Sequence, residues 1–224
     1  MRTFEEIRAI AEARKGGSES LEKLIGAGDY PSRDPKKMTD DRWLSIFSRH
    51  VFAAGFNWKA IDRKWPGFEE AFKGFDVGAC AMMDDAWMDA LLKDARIVRN
   101  GAKIASVRDN AAFLQELATE RGSAAKAIAD WPDGDYVGLL DALKRRGSRL
   151  GGSAAQYALR QGGKSGFILS PDVVARLVAE GVVDKAPPSR KDMASVQKAF
   201  DGWQSQSGLS LTEISRVLAL SVDA

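Results

Sequence analysis

The stretch LKRRGSRLGGSAAQYAL, residues 143–159, crowds four cationic side chains and three glycines between two apolar runs. Its first part finishes a helical pattern ending at Arg146, and Ser153 to Leu159 opens another. The residues between are so few that only a tight turn connects them. Gly151 and Gly152 allow positive φ there and let a bulky partner approach the backbone. N–H groups at the start of the second helix then lack intrahelical partners and, with the helix dipole, attract an anion such as phosphate. Lys144, Arg145, Arg146 and Arg149 would line a nucleic-acid backbone without reading bases, which implies salt-sensitive, sequence-tolerant binding. On this segment alone a second reading stands equally: a helix–helix turn beside a solvated basic face.

Outward from the turn, nearly every segment reads at helical period and none alternates like a strand. Trp43, Ile46, Phe47 and Val51 share a stripe, as do Trp87, Met88, Leu91 and Leu92, and the pattern from Ala102 to Leu117 runs for four turns. Breakers at WPGF (65–68), KGFD (73–76), RNGA (99–102), DWPDGD (130–135) and APPS (186–189) cut the chain into roughly ten helices. In SPDVVARLVAEG, Ser170 reads as an N-cap, Pro171 as the first helical residue and Asp172 as a first-turn acid, with a stop at Gly181. The first 37 residues, with KGGSES and GAGDYPSRDPKK, read as one or two helices joined by a link.

The chain of 224 residues can bury a substantial core, and its 45% hydrophobic and 29% charged content excludes a disordered or collagen-like chain. With a net charge of only +2, any electrostatic role must come from local clustering. Cys80 is the single cysteine, which excludes an intramolecular disulfide and a thiolate-rich zinc site. No signal-type or membrane-length apolar run occurs, so a cytoplasmic protein without membrane insertion is expected.

Three blocks in order carry a resemblance: FAAGFNWKAIDRKWPGFEEAFKGFD (52–76), LLKDARIVRNGAKIASVRDNAAFL (91–114) and ALKRRGSRLGGSAAQYAL (142–159). Over roughly Asp41 to Leu177 the chain resembles the bacterial 3-methyladenine DNA glycosylase I family, within the helix-hairpin-helix DNA glycosylases. The resemblance implies an all-α fold of two helical lobes with a base pocket between them. It implies an N-terminal helical extension (1–37), a glycosylase-like core (38–181) with its hairpin at 141–159, and a C-terminal extension (182–224) packing on that core. The implied partner is double-stranded DNA with a damaged base, bound by a monomer, and neither cofactor nor metal is expected. Trp58, closing AGFNW, matches an aromatic residue lining the pocket for the extruded base, next to Asn57; burial in the core is its alternative. Lys103 matches a basic position where a phosphate contact and a solvated lysine are both open. Gly151, Gly152 and Ser153 complete the implied DNA anchor.

The departures from the family concern chemistry. Where the family has a glutamate that hydrogen-bonds the alkylated adenine, eight residues before the tryptophan, this chain has His50. A carboxylate favours a cationic base, whereas a neutral imidazole offers one donor and one acceptor. Packing is the alternative role for this single histidine. The family's structural zinc lacks its ligands here, since Asp172 and Arg176 stand at two of their positions, and the terminal extensions are expected to take over its role. Asp172 also falls within about two residues of the aspartate used by most helix-hairpin-helix glycosylases, which makes Asp172 and His50 the candidate catalytic residues, with capping the competing role for Asp172. Ala154 stands where lyase-type members carry a nucleophilic lysine, which implies hydrolysis without a Schiff base. The expected function is a monofunctional glycosylase for an alkylated or damaged purine in base-excision repair, the alternative being an inactive relative that binds distorted DNA.

Overall fold

A computed structural model describes residues 1–27, 33–187 and 189–222. The described residues form thirteen α-helices and three short 3-10 turns, with no strand among them. The helices are α1 (Phe4–Lys15), α2 (Ser18–Gly26), α3 (Asp40–Ala53), α4 (Trp58–Ala71), α5 (Val77–Ala81), α6 (Asp85–Lys93), α7 (Gly101–Arg121), α8 (Ala124–Ala129), α9 (Tyr136–Arg146), α10 (Ser153–Gln161), α11 (Pro171–Ala179), α12 (Arg190–Ser207) and α13 (Leu211–Leu220). The excess over the ten expected comes from short pieces such as the five-residue α5 and the six-residue α8. The turns expected around GAGDYPSRDPKK and APPS fall partly outside the described residues.

The chain divides into two compact units, one of Met1–Ser32, Pro132–Gly138 and Ser165–Ala224, the other of Arg33–Trp131 and Leu139–Lys164. This division differs from the cuts expected at residues 37 and 181. The segment 38–181 is itself divided, and both terminal stretches fall in one unit.

In the unit of Arg33–Trp131 and Leu139–Lys164, α7 is the central element, packed against α3, α5, α6 and α8. The Asn100 side chain starts it by accepting from the Lys103 amide at 3.1 Å, and Gly122 ends it at φ 85°. The α3 stripe behaves as its period demands, with Trp43, Ile46, Phe47 and Val51 all buried. The α6 stripe does not: only Leu91 is buried, while Trp87 is half-buried, with its indole N–H on the Ala71 carbonyl and Lys73 over its ring.

WPGF does not break the chain either. α4 continues through Pro66, because Ile61, Trp65, Phe68 and Ala71 keep one buried stripe on both sides of it. That stripe joins a run of close rings, Phe52–Phe68 at 4.6 Å, Trp65–Phe75 at 5.4 Å and Phe72–Phe75 at 5.2 Å. α10 packs on α3. Past its end, a Cβ on Gly162 would overlap the Trp43 ring, so only glycine fits there.

In the other unit, α13 packs on α1, α2, α11 and α12, around Ile7, Leu21, Phe200, Trp203 and Ile214. Ser170 caps α11 as expected, and Ser210 forms a capping box with Glu213 at the start of α13. Arg176 is buried and donates to Ser221, at 2.8 Å to its hydroxyl and 2.6 Å to its carbonyl, while pairing with Glu180 at 3.2 Å. Glu180 in turn accepts from the backbone and side chain of Arg2. A chain of hydrogen-bonded charges thus ties residue 2 and residue 221 to α11.

Candidate functional site

The last turn of α3 carries Arg49 and His50, and a short loop leads to Trp58 at the start of α4. Asn57 is exposed, and its side chain is the N-cap of α4, accepting from the Ala60 amide at 3.2 Å. This gives Asn57 a structural task at the start of α4. Trp58 is half-buried, and its ring lies 4.9 Å from that of His50. From α10, Tyr157 lies nearly parallel to the His50 ring at 6.4 Å, and Gln161 meets His50 Nε2 through Oε1 at 2.7 Å. His50 is buried. Burial pushes its pKa from 6.5 down to about 4, the nearby Arg49 charge acting in the same direction and the Gln161 bond against it. The imidazole is therefore neutral at pH 7, and His50 is an uncharged hydrogen-bonding group between an indole and a phenol.

Lys103 is neither a solvated lysine nor a surface cation. It is buried, and its ammonium donates to the carbonyls of Phe52 at 3.0 Å and Ala54 at 2.6 Å, with the Phe56 ring 4.7 Å away. These are end-of-helix carbonyls of α3, so Lys103 caps that helix and holds the loop that delivers Trp58. Burial lowers its pKa, and the charge of Arg149 adds to the effect.

The basic turn takes the expected form with one unexpected support. α9 ends at Arg146 and α10 starts at Ser153. Gly152 sits at φ 59°, ψ −136°, a conformation that favours glycine, whereas Gly151 has no positive φ and the left-handed residue beside it is Arg149 at φ 61°. No side chain caps α10, so the amides of its first turn remain available where Ser153 is exposed. Buried Asn110 of α7 clamps the turn reciprocally, accepting from the Ser148 amide at 2.7 Å and donating to its carbonyl at 3.0 Å. Arg145 is paired with Asp141, and Arg146 with Glu116 and Glu120. Those two arginines therefore offer less free charge than the sequence suggests. Lys144 and Arg149 are exposed and carry no hydrogen bond or ion pair among the described residues.

Residues 35–139 match the methyladenine glycosylase family. The match ends before the basic turn. Solved structures extend it as a likeness of fold: the Staphylococcus aureus 3-methyladenine DNA glycosylase I is 20% identical, with 69% of this chain and 91% of that one aligned and a TM-score of 0.53. A Methanocaldococcus jannaschii 8-oxoguanine glycosylase/lyase, solved with DNA containing 8-oxoguanine, is 15% identical over 95% of both chains, with a TM-score of 0.53. The likeness is one of fold, the all-helical fold that these solved DNA glycosylases share.

His50, Trp58 and Lys103 lie inside the matched segment, and the basic turn, Tyr157 and Gln161 follow it. Asp172 belongs to the other unit, in the first turn of α11, where its charge complements the helix N-terminus. Tyr157, Gln161, Arg49 and Asn110 are the site residues that sequence reasoning missed. Period alone does signal that Tyr157 and Gln161, four apart on α10, share a face. Among the described residues no cluster of His, Cys, Asp and Glu is suited to a metal ion, and no helix is long and apolar enough to cross a membrane.

Proposed function

We propose that this chain is a monofunctional DNA glycosylase that excises a damaged purine after turning it out of the duplex. The observation that carries this reading is the grouping of Trp58, His50, Tyr157 and Gln161 from three helices, within the same unit as the uncapped start of α10. Trp58 supplies a stacking face for the extruded base, and the imidazole beside it contacts the base edge. The α10 amides, with Lys144 and Arg149, hold a phosphate while the base is out.

In the reaction the bond between sugar C1′ and the base nitrogen breaks, and the base leaves with the electron pair. Water supplies the oxygen that bonds to C1′, and its proton neutralises the departing base. Positive charge builds on the sugar meanwhile. α10 contains no lysine, and Ala154 is its second residue, which favours hydrolysis over Schiff-base chemistry.

The test is incubation with duplexes carrying alkylated, deaminated or oxidised purines, followed by chromatography of the released bases. A released base that disappears with Trp58→Ala supports the enzyme. Binding of damaged DNA with no base released from any substrate supports the second reading, an inactive damage-binding relative. That reading is favoured by the neutral His50 standing where the family has a carboxylate.

A further inference from the structure

The carboxylates around the aromatic pair Trp58 and Trp65 are both committed to arginines. Trp58, Asp62 and Trp65 follow one another at i, i+4 and i+7 on α4 and so share a face. Arg49 lies over that face, its guanidinium carbon 5.6 Å from the Trp58 ring centre and 5.5 Å from that of Trp65. It is pinned there by Asp62, which accepts from Nε at 3.0 Å and from Nη2. The Nη1 donors make no hydrogen bond among the described residues. Glu69 accepts the indole N–H of Trp65 at 3.0 Å, the Ser45 hydroxyl at 2.6 Å and two bonds from Arg42. Burial opposes ionisation of Glu69, but these bonds outweigh it and hold its pKa below the usual value, so its charge is spent on Arg42.

We propose that Arg49 is a specificity-determining residue, setting the site for an uncharged purine lesion bearing a keto oxygen and against a cationic alkylated base. This rests on the reading of Trp58 as the base platform. A cationic base on Trp58 would share one aromatic face with a guanidinium, where the carboxylates beside it, Asp62 and Glu69, are already paired with arginines. Asp62 offsets part of the Arg49 charge but also fixes its position, and both side chains are largely withdrawn from solvent, at 24% and 36% exposed. A keto purine instead presents an acceptor to the unused Nη1 donors, and a bond to such a charged donor is a strong one. Arg49 thus works by repelling one class of base and bonding the other.

The experiment is single-turnover base release by the full chain from two substrate sets. The uncharged set is duplexes containing hypoxanthine or 8-oxoguanine; the cationic set is dimethyl sulfate-treated duplex, which yields 3-methyladenine and 7-methylguanine. Wild-type protein is expected to release a keto base at least tenfold faster than either cationic base. Arg49→Met leaves Asp62 uncompensated and is expected to shift that ratio at least tenfold toward the cationic bases, whereas Arg49→Lys keeps the wild-type preference. Loss of both activities in equal proportion with Arg49→Met, in protein that retains its helical circular dichroism, would assign Arg49 a structural role and overturn the proposal. Wild-type release of cationic bases alone overturns it while leaving the glycosylase intact; release of no base from either set overturns both. The wild-type ratio decides even if Arg49→Met does not fold.

Discussion

His50 Nε2 lies 2.7 Å from Oε1 of Gln161, so a buried, neutral imidazole joins the last turn of α3 to the end of α10. Its pKa is about 4 in the folded chain against an ordinary 6.5. Between those values the unfolded chain binds a proton that the folded chain does not, so stability falls as pH drops from 6.5 to 4. The loss is on the order of 3 kcal/mol when complete. Urea unfolding at pH 7 and pH 4.5 is expected to show this drop in the wild type and to show much less of it in His50→Gln.

Trp58→Ala removes the ring that faces His50. Base stacking on an aromatic side chain contributes about 1–3 kcal/mol, so release of the base from a damaged duplex is expected to slow by roughly ten- to a hundredfold. Affinity for undamaged duplex, measured by fluorescence anisotropy, is expected to stay within about threefold, because the anchor at α10 makes no use of the ring.

Lys103→Met leaves the carbonyls of Phe52 and Ala54 without their donor. A hydrogen bond from a charged group contributes about 1.5–3 kcal/mol, and the midpoint of thermal unfolding is expected to fall accordingly. The salt dependence of DNA binding is expected to be unchanged, which separates this buried lysine from the exposed cations of the turn.

For those cations the expectation reverses. Lys144→Ala with Arg149→Ala should weaken binding to all duplex sequences alike and lower the slope of log affinity against log salt by about 2. Arg146→Ala should change the slope far less, since Arg146 is paired with Glu116 and Glu120. Equal slope changes for both variants would show that Arg146 meets the phosphates as freely as Lys144 and Arg149 do. Gly152→Val should weaken binding as well, because φ 59° with ψ −136° is strained for any branched residue.

Arg176→Ala breaks the buried pairs to Glu180 and Ser221. Removing one partner of a buried ion pair costs about 3–5 kcal/mol, a loss that chemical denaturation would register. Burial opposes ionisation of Glu180, but the bonds from Arg2 and Arg176 hold its pKa below the usual value. The stability it adds is complete at neutral pH and is lost as pH falls through that lowered pKa. Because Arg176 stands where the resemblance places a zinc ligand, metal analysis of the purified protein should find no stoichiometric zinc; finding it would overturn the view that this charge network holds the ends.

Local information made much of the fold legible in the sequence. The helix cap at Ser170, the α3 stripe and the glycine-broken turn are governed by contacts within a few residues, and all follow from spacing and backbone preference. Pro66 misled because the rule for proline is local too, while the burial that carries α4 through it is tertiary.

The site divides in the same way. The sequence by itself determined that an imidazole and an indole lie near the α3–α4 junction, and that a basic, uncapped helix start follows. Only the tertiary structure decided what these groups do. The partner of His50 lies 111 residues away in the chain. Lys103 reads as a surface cation until packing brings it to carbonyls about 50 residues back, and Arg146 as a free charge until Glu116 and Glu120 of α7 meet it. A charged side chain looks the same in sequence whether it ends in water, on a helix end or beside a carboxylate, because its electrostatic role is set by distances that folding alone creates.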